Sequence, residues 1–210
     1  MNKEQFLEAC KNENSYGDCF YSVYDEFLPY QEFGLLQDTM LTLGWTISGK
    51  INQNDTSNKD FYLVKSIYNN ERYAREQWSP NVNIDPFLSI TNKIHVDALM
   101  RIKANLYMGS NINSIHAPHI DYPFFHIGAL FFVFDCDAPT YMADGTEIES
   151  KRNRLIVFNA ATPHSSSAPT DTLYRMTINI NYFGAGVNQD YIRNHSNSIP
   201  TLQSENYPFK

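Results

Sequence analysis

The sequence predicts a mainly β protein of the α+β class, built as a jelly roll with supporting N-terminal helices. Short runs of strand character, divided by Pro, Gly, Asn and Asp, succeed one another from about residue 101 to 183. Two segments of helical period precede them. The chain has 210 residues, enough for one domain with a substantial core, and β barrels or sandwiches of that size commonly stay undivided. One domain over 1–210 is therefore expected, with helical support over about 1–100, a β core over about 101–183 and a tail over 184–210.

Gln31 to Leu43 places Phe33, Leu36, Met40 and Leu43 at helical spacing, and Gly44 follows where a helix would stop. Pro86 to Ile94 brings Phe87, Ile90 and Ile94 onto one face, with Pro86 suited to a first helical turn. Between them, Ile51 to Asn83 is polar and reads mostly as loop, with a short apolar run at Phe61 to Val64. Strands are expected at Met100 to Met108, Ile127 to Asp135, Leu155 to Asn159 and Leu173 to Phe183, with shorter extended pieces near His119 and His164. So many short strands suit a sandwich or barrel, the jelly roll foremost.

Charged residues make up 19% of the chain, hydrophobic residues 42%, and no apolar run is long enough to span a bilayer, so a soluble protein is expected. The amino terminus, MNKEQFLEACKN, has polar residues where a signal peptide needs an apolar stretch, which makes a cytoplasmic location the default expectation. A net charge of −7 opposes binding to nucleic acid phosphates. The one dense basic cluster, Lys151-Arg152-Asn153-Arg154, lies between strands and reads as a solvated turn. Cys10, Cys19 and Cys136 form an odd, widely spaced set that fits neither a disulfide framework nor a C-x-x-C metal pair, so free thiols are expected.

In an extended strand, residues i and i+2 point to the same side, so His119 and Asp121 can converge on one ion while Ile120 faces away. Two His and one carboxylate with open positions left on the metal is the ligand set of non-haem Fe(II) oxygenases. His95-Val96-Asp97 fits the same H-x-D pattern but cannot belong to the same three-ligand site. It follows the helical segment ending at Ile94, where i and i+2 would diverge, and His119 is preferred.

Further on, Pro163-His164 follows the apolar strand Leu155 to Phe158, and Arg175 comes after ten intervening residues. Along Tyr174 to Ile180 the alternation puts Tyr174, Met176, Ile178 and Ile180 on one face and Arg175, Thr177 and Asn179 on the other. That polar face is either wet or lines a cavity. A guanidinium fork suits a carboxylate, and a hydroxyl two residues on adds a donor; with H-x-D and His164 in the same chain, the cavity reading is the better one.

In this order, His119-x-Asp121, His164 and then Arg175-x-Thr177, the sequence resembles the 2-oxoglutarate- and Fe(II)-dependent oxygenases. The stretches VYDEFLP with the following helix and Trp45, RIKANLY, KRNRLIVFN and RMTININ resemble the small prolyl-hydroxylase-like members of bacteria and phages, over about Val23 to Phe183. The resemblance implies a double-stranded β-helix of cupin-like form, with His119, Asp121 and His164 on Fe(II). It implies 2-oxoglutarate chelating the metal, its far carboxylate on Arg175 and Thr177, and O2 at the last position. Tyr107 resembles a family position whose phenol reaches that carboxylate, and Asn105 lies two residues earlier on the same face.

The implied reaction hydroxylates an unactivated C–H bond and releases succinate and CO2, with ascorbate as an accessory reductant. A prolyl residue of a protein or peptide is the first expected substrate, and a free amino acid or other small metabolite the second. The rival readings are a metal- or small-anion-binding β-helix without catalysis, and an interaction module in which the three ligands would be dispersed. His116 is expected in the loop before His119, His126 has only nearness in its favour, and His195 sits in a polar tail. There is no GxxxxGK, GxGxxG, HExxH or G-x-S-x-G motif, and Asp135, Asp137 and Asp144 do not complete a calcium loop.

Overall fold

Strands far apart in sequence pair antiparallel to build two sheets. The computed structural model describes residues 1–49, 61–70, 78–112, 114–188, 190–191, 200–204, 206 and 208. In chain order the elements are α1 (Lys3–Cys10), β1 (Tyr21–Tyr24), α2 (Tyr30–Leu41), β2 (Thr46–Ser48), β3 (Tyr62–Asn69), α3 (Asp85–Thr91) and β4 (Ile94–Met108). Then follow β5 (Ile127–Phe132), β6 (Cys136–Met142), β7 (Glu147–Ser150), β8 (Arg154–Asn159), β9 (His164–Ser165), β10 (Tyr174–Val187) and β11 (Pro200–Gln203).

The large sheet has eight strands in the order β11-β1-β8-β5-β10-β4-β3-β2, and the small sheet has three, β7-β6-β9. Alternation sorts the side chains of the large sheet. Met176, Ile178 and Ile180 of β10, with Ile102 and Ala104 of β4, join Phe33, Leu36 and Met40 of α2 and Phe87 and Ile90 of α3 in one core. Burying each such large side chain contributes roughly 1.5–3 kcal/mol. On the opposite face Phe132, Ile156 and Phe158 pack with Met142 and Ile148 of the small sheet. The result is the mainly β, double-stranded β-helix architecture expected from the sequence, with helices backing the large sheet and a cavity between the sheets.

Several boundaries differ from the expectation. The segment read mostly as loop contains β3, which pairs with β4 from Tyr62↔Tyr107 to Asn69↔Arg101; residues 51–60 and 71–77 of that segment lie outside the described residues. α3 stops at Thr91, and Ile94 opens β4: its spacing from Ile90 fits a helix, but its alternation with Val96 fits a strand, and the pairing Val187↔Ile94 decides. His95 and Asp97 therefore lie on a strand, and the helical reason for setting them aside was incorrect. They are set aside because both side chains are exposed, 66% and 72%, and no third ligand joins them among the described residues.

The expected tail after Gly184 also carries structure. β10 runs on to Val187, because Gly184 adopts φ +153° where a Cβ would stand 1.9 Å from the His95 carbonyl oxygen. β11 adds a further strand beside β1. The amino terminus forms α1, started by a capping box between Asn2 and Gln5.

Lys151 to Arg154 is not a merely solvated turn. Arg154 and Lys151 both reach Asp25, and the Asn153 side chain is buried. Cys10, Cys19 and Cys136 are free thiols. No helix among the described residues is long and apolar enough to cross a membrane.

Candidate metal centre and carboxylate pocket

Asn159 ends β8 and shapes the turn that delivers His164. Its side chain donates to the carbonyls of Tyr16 (3.1 Å) and Asp18 (2.9 Å) and accepts from Ala161 N (3.0 Å). The Thr162 hydroxyl closes the turn on Asn159 O at 2.7 Å. His164 then pairs with His119 through two backbone hydrogen bonds of 3.0 Å, which sets the imidazoles 4.6 Å apart. Asp121, two residues along, ties its N–H to Ala160 O at 2.9 Å and turns its carboxylate to the same side as His119.

The sequence-predicted trio therefore meets. One ligand atom from each of His119, Asp121 and His164 lies within 4.8 Å of the others, and Asp121 Oδ2 stands 4.0 Å from His164 Nε2. His164 Nδ1 donates to Thr162 O at 2.9 Å, which leaves its Nε2 as a lone pair for an ion. Burial, with the neighbouring His164 adding to it, pushes the His119 pKa down to about 3, so the ring is neutral and competent to ligate at pH 7. Burial alone would raise the Asp121 pKa, but the positive charges around it, Arg101 first, hold it well below the carboxylate range. Two imidazoles and one carboxylate suit a borderline divalent ion, Fe(II) included.

From this cluster a ladder of cross-strand polar pairs runs along one face of β4 and β10. Its rungs are Asn181↔Arg101, Asn179↔Lys103, Thr177↔Asn105 and Arg175↔Tyr107. The first two reach Asp121: Arg101 Nη2 donates to Oδ1 at 3.0 Å, Asn179 Nδ2 to Oδ2 at 3.1 Å and Asn181 Nδ2 to Oδ2 at 2.8 Å. The last two line the cavity that also holds His119, His164 and Thr140.

Arg175 is 1% exposed. Its Nε donates to Ser150 Oγ at 2.9 Å and its Nη2 to Thr140 Oγ1 at 2.7 Å, but Nη1 is buried without a hydrogen-bond partner. No carboxylate pairs with it among the described residues, and burial draws its pKa down from the usual value. A buried cation with a spare donor calls for an anion. Nearby, the Asn105 Oδ1 and Asn179 Oδ1 acceptors are also buried and unpartnered. Tyr107 stacks on Tyr62 (5.4 Å) and His116 (5.5 Å), and burial pushes its pKa up to about 12, so the phenol is a neutral donor.

His116 shares a 2.8 Å hydrogen bond with Ser166 and takes no place in the ligand cluster. His126 has more than nearness: it is fully buried, and its Nε2 accepts from Asn181 Nδ2 at 3.2 Å. His195 lies outside the described residues. Arg101, Lys103 and Asn181 escaped the sequence reading, although the alternations through Asn105, Tyr107 and Asn179 point to them when extended outward.

No protein-family model matches the chain, and no curated protein matches it in sequence. Solved structures do resemble it. A prolyl hydroxylase from Trichoplax adhaerens, in complex with a hypoxia inducible factor oxygen degradation domain peptide fragment, superposes with a TM-score of 0.57 at 15% identity, covering 87% of this chain and 89% of that one. A 2OG-Fe(II) oxygenase family oxidoreductase from Burkholderia pseudomallei gives 0.57 at 10% identity, covering 90% and 94%. The chain shares their double-stranded β-helix fold. A Pseudomonas putida prolyl-4-hydroxylase gives 0.50 at 12% identity, covering 86% and 98%.

Proposed function

We propose that the protein is an Fe(II)- and 2-oxoglutarate-dependent dioxygenase that hydroxylates an unactivated C–H bond, with a prolyl residue of a protein or peptide as its substrate. The observation that carries this reading is one cavity lined both by the two histidines of the His-Asp-His cluster and by a buried, incompletely partnered arginine. When bound, the metal and cosubstrate supply the oxidising chemistry, with succinate and CO2 as co-products.

The protein's own residues bind and orient. His119, Asp121 and His164 would hold Fe(II) from one side. Arg175 Nη1 would donate to the far carboxylate of 2-oxoglutarate, with the buried Thr177 hydroxyl beside it and Tyr107 and Asn105 on the facing strand. The apolar walls, Leu130 and Phe158, would keep water from the reacting centre.

A prolyl substrate is supported by the outer end of the ladder. One alternating step beyond Asn181, the 43%-exposed ring of Phe183 stacks on the 41%-exposed Phe124 at 6.0 Å, and Phe124 stacks on Tyr122 at 5.6 Å. Aromatic shelves of this kind receive proline rings of extended peptides. The fold shared with prolyl hydroxylases is consistent with the same choice.

Succinate formation from 2-oxoglutarate, under air with Fe(II) and ascorbate, tests the assignment without a known substrate. Slow uncoupled turnover by the wild type, abolished in His164→Ala and Arg175→Ala, is the expected result. A folded, metal-loaded protein that neither turns over nor binds 2-oxoglutarate would instead be a metal-binding β-helix without this chemistry.

A further inference from the structure

We propose that Arg101 and Asn181 are positioning residues that act together on Asp121 through a closed ring of hydrogen bonds. The inference rests on the reading of His119, Asp121 and His164 as a metal centre. Three side chains complete the ring: Arg101 Nη2 donates to Asp121 Oδ1 (3.0 Å), Asn181 Nδ2 to Asp121 Oδ2 (2.8 Å), and Arg101 Nε to Asn181 Oδ1 (3.1 Å). The side chains of Arg101 and Asp121 are 15% and 4% exposed, and Asn181 is fully buried, so water does not compete freely for these bonds.

The ring is fixed from outside as well. His126 Nδ1 donates to Phe124 O at 2.9 Å, which leaves Nε2 as an acceptor for the second hydrogen of Asn181 Nδ2 at 3.2 Å. The Asn181 amide therefore has one orientation: turning it over would lose its bonds to Arg101, Asp121 and His126 together. Arg101 in turn lies over the Tyr122 ring at 5.0 Å, beside the residue it orients. Strand pairing brings the two donors into register, since Arg101 of β4 and Asn181 of β10 are direct partners.

A carboxylate on an extended segment can otherwise rotate about its side-chain bonds. With Oδ1 held by Arg101 and Oδ2 by Asn181 and Asn179, the carboxylate plane is fixed and Oδ2 stands 4.0 Å from His164 Nε2. The guanidinium is needed for its fork: Nε and Nη2 grip two different acceptors from two nitrogens of one rigid plane, where an ammonium has a single nitrogen. Partners that orient metal ligands in this way are typically worth about 10–100-fold in metal affinity.

The test is titration of the metal-free protein with Mn(II) and Co(II), which bind without turnover, on the wild type, H164A, R101M, R101K, N181S and the double variant R101M/N181S. Expected results are tight binding by the wild type, none by H164A, and about 10–100-fold weaker binding by each ring variant with a changed Co(II) ligand-field spectrum. R101K, which keeps the charge without the fork, stays weakened, and the double variant is no weaker than the worse single one. Wild-type affinity in R101M, R101K or N181S, or additive losses in the double variant, overturns the ring. Where R101M fails to fold, R101K and N181S decide by the same criteria. A wild type that binds neither ion refutes the metal centre itself, which is a separate failure.

Discussion

Asn153 and Leu28 exchange two hydrogen bonds across 125 positions of sequence: Leu28 N donates to Asn153 Oδ1 at 2.8 Å, and Asn153 Nδ2 donates to Leu28 O at 2.9 Å. Asn153 is 3% exposed and sits at φ 57°, a left-handed conformation that asparagine tolerates better than most residues. Asn153→Ala should cost about 2–4 kcal/mol, from two lost bonds to buried backbone groups and a strained turn. Urea denaturation of the metal-free protein measures it, and a loss below about 0.5 kcal/mol would contradict the mechanism.

Asp25 links this turn to pH. Burial alone would raise its pKa, but the hydrogen bonds of Arg154 and Lys151 outweigh that and hold it below its ordinary value. A depressed folded pKa gives stability that is fully present above the unfolded value of about 3.9 and is lost as pH falls through the folded one. Asp25→Asn should cost about 1–3 kcal/mol at pH 7, and the gap to wild type should close below about pH 4. An unchanged gap in acid would show that Asp25 acts through packing alone.

Arg175 predicts a trade between stability and binding. A buried guanidinium held by two hydroxyls, without a carboxylate partner among the described residues, is costly to the folded protein. Arg175→Met should leave the ligand-free protein at least as stable as wild type, by up to roughly 2 kcal/mol, while abolishing the thermal stabilisation that 2-oxoglutarate confers. Thermal melts with and without the diacid decide; equal stabilisation of both proteins would remove Arg175 from the carboxylate site.

Gly128 supports the metal centre from behind. A Cβ there would stand 2.7 Å from Ala160 Cβ and 2.8 Å from the Phe158 ring. Ala160 O anchors the Asp121 backbone, and Phe158 packs edge-on against His164 at 5.0 Å. Gly128→Ala should therefore weaken Mn(II) binding by about 10–100-fold in protein that still folds. Calorimetry reads this directly, and an unaltered affinity would mean that β5 yields without disturbing the ligands.

The parts of the molecule legible in the sequence are those where one period dominates. Met176, Ile178 and Ile180 against Arg175, Thr177 and Asn179 alternate cleanly because one face of β10 meets the core and the other the cavity. α2 showed its buried face at Phe33, Leu36 and Met40 for the same reason. β6 was missed because Asp137 and Pro139 break its pattern, and β1 because its four residues are all buried and carry no alternation. β3 hid behind Lys65 and Ser66. The metal trio could be read because its residue types are chemically restricted; the ring around Asp121 could not, since Arg and Asn on a strand have many ordinary uses and only the register makes them neighbours.

The β4–β10 ladder has a kinetic meaning too. Its rungs join residues about 70 positions apart, such as Tyr107 and Arg175, so they are among the slow, high-separation contacts of the chain. Both ends of the cavity draw residues from that one pairing: Arg175 at one, and Arg101, Asn179 and Asn181 around Asp121 at the other. A folding intermediate with helices and hairpins in place but β10 undocked would lack the arginine for the diacid and two of the amides that hold Asp121, and the appearance of diacid binding during refolding would time the docking of that strand.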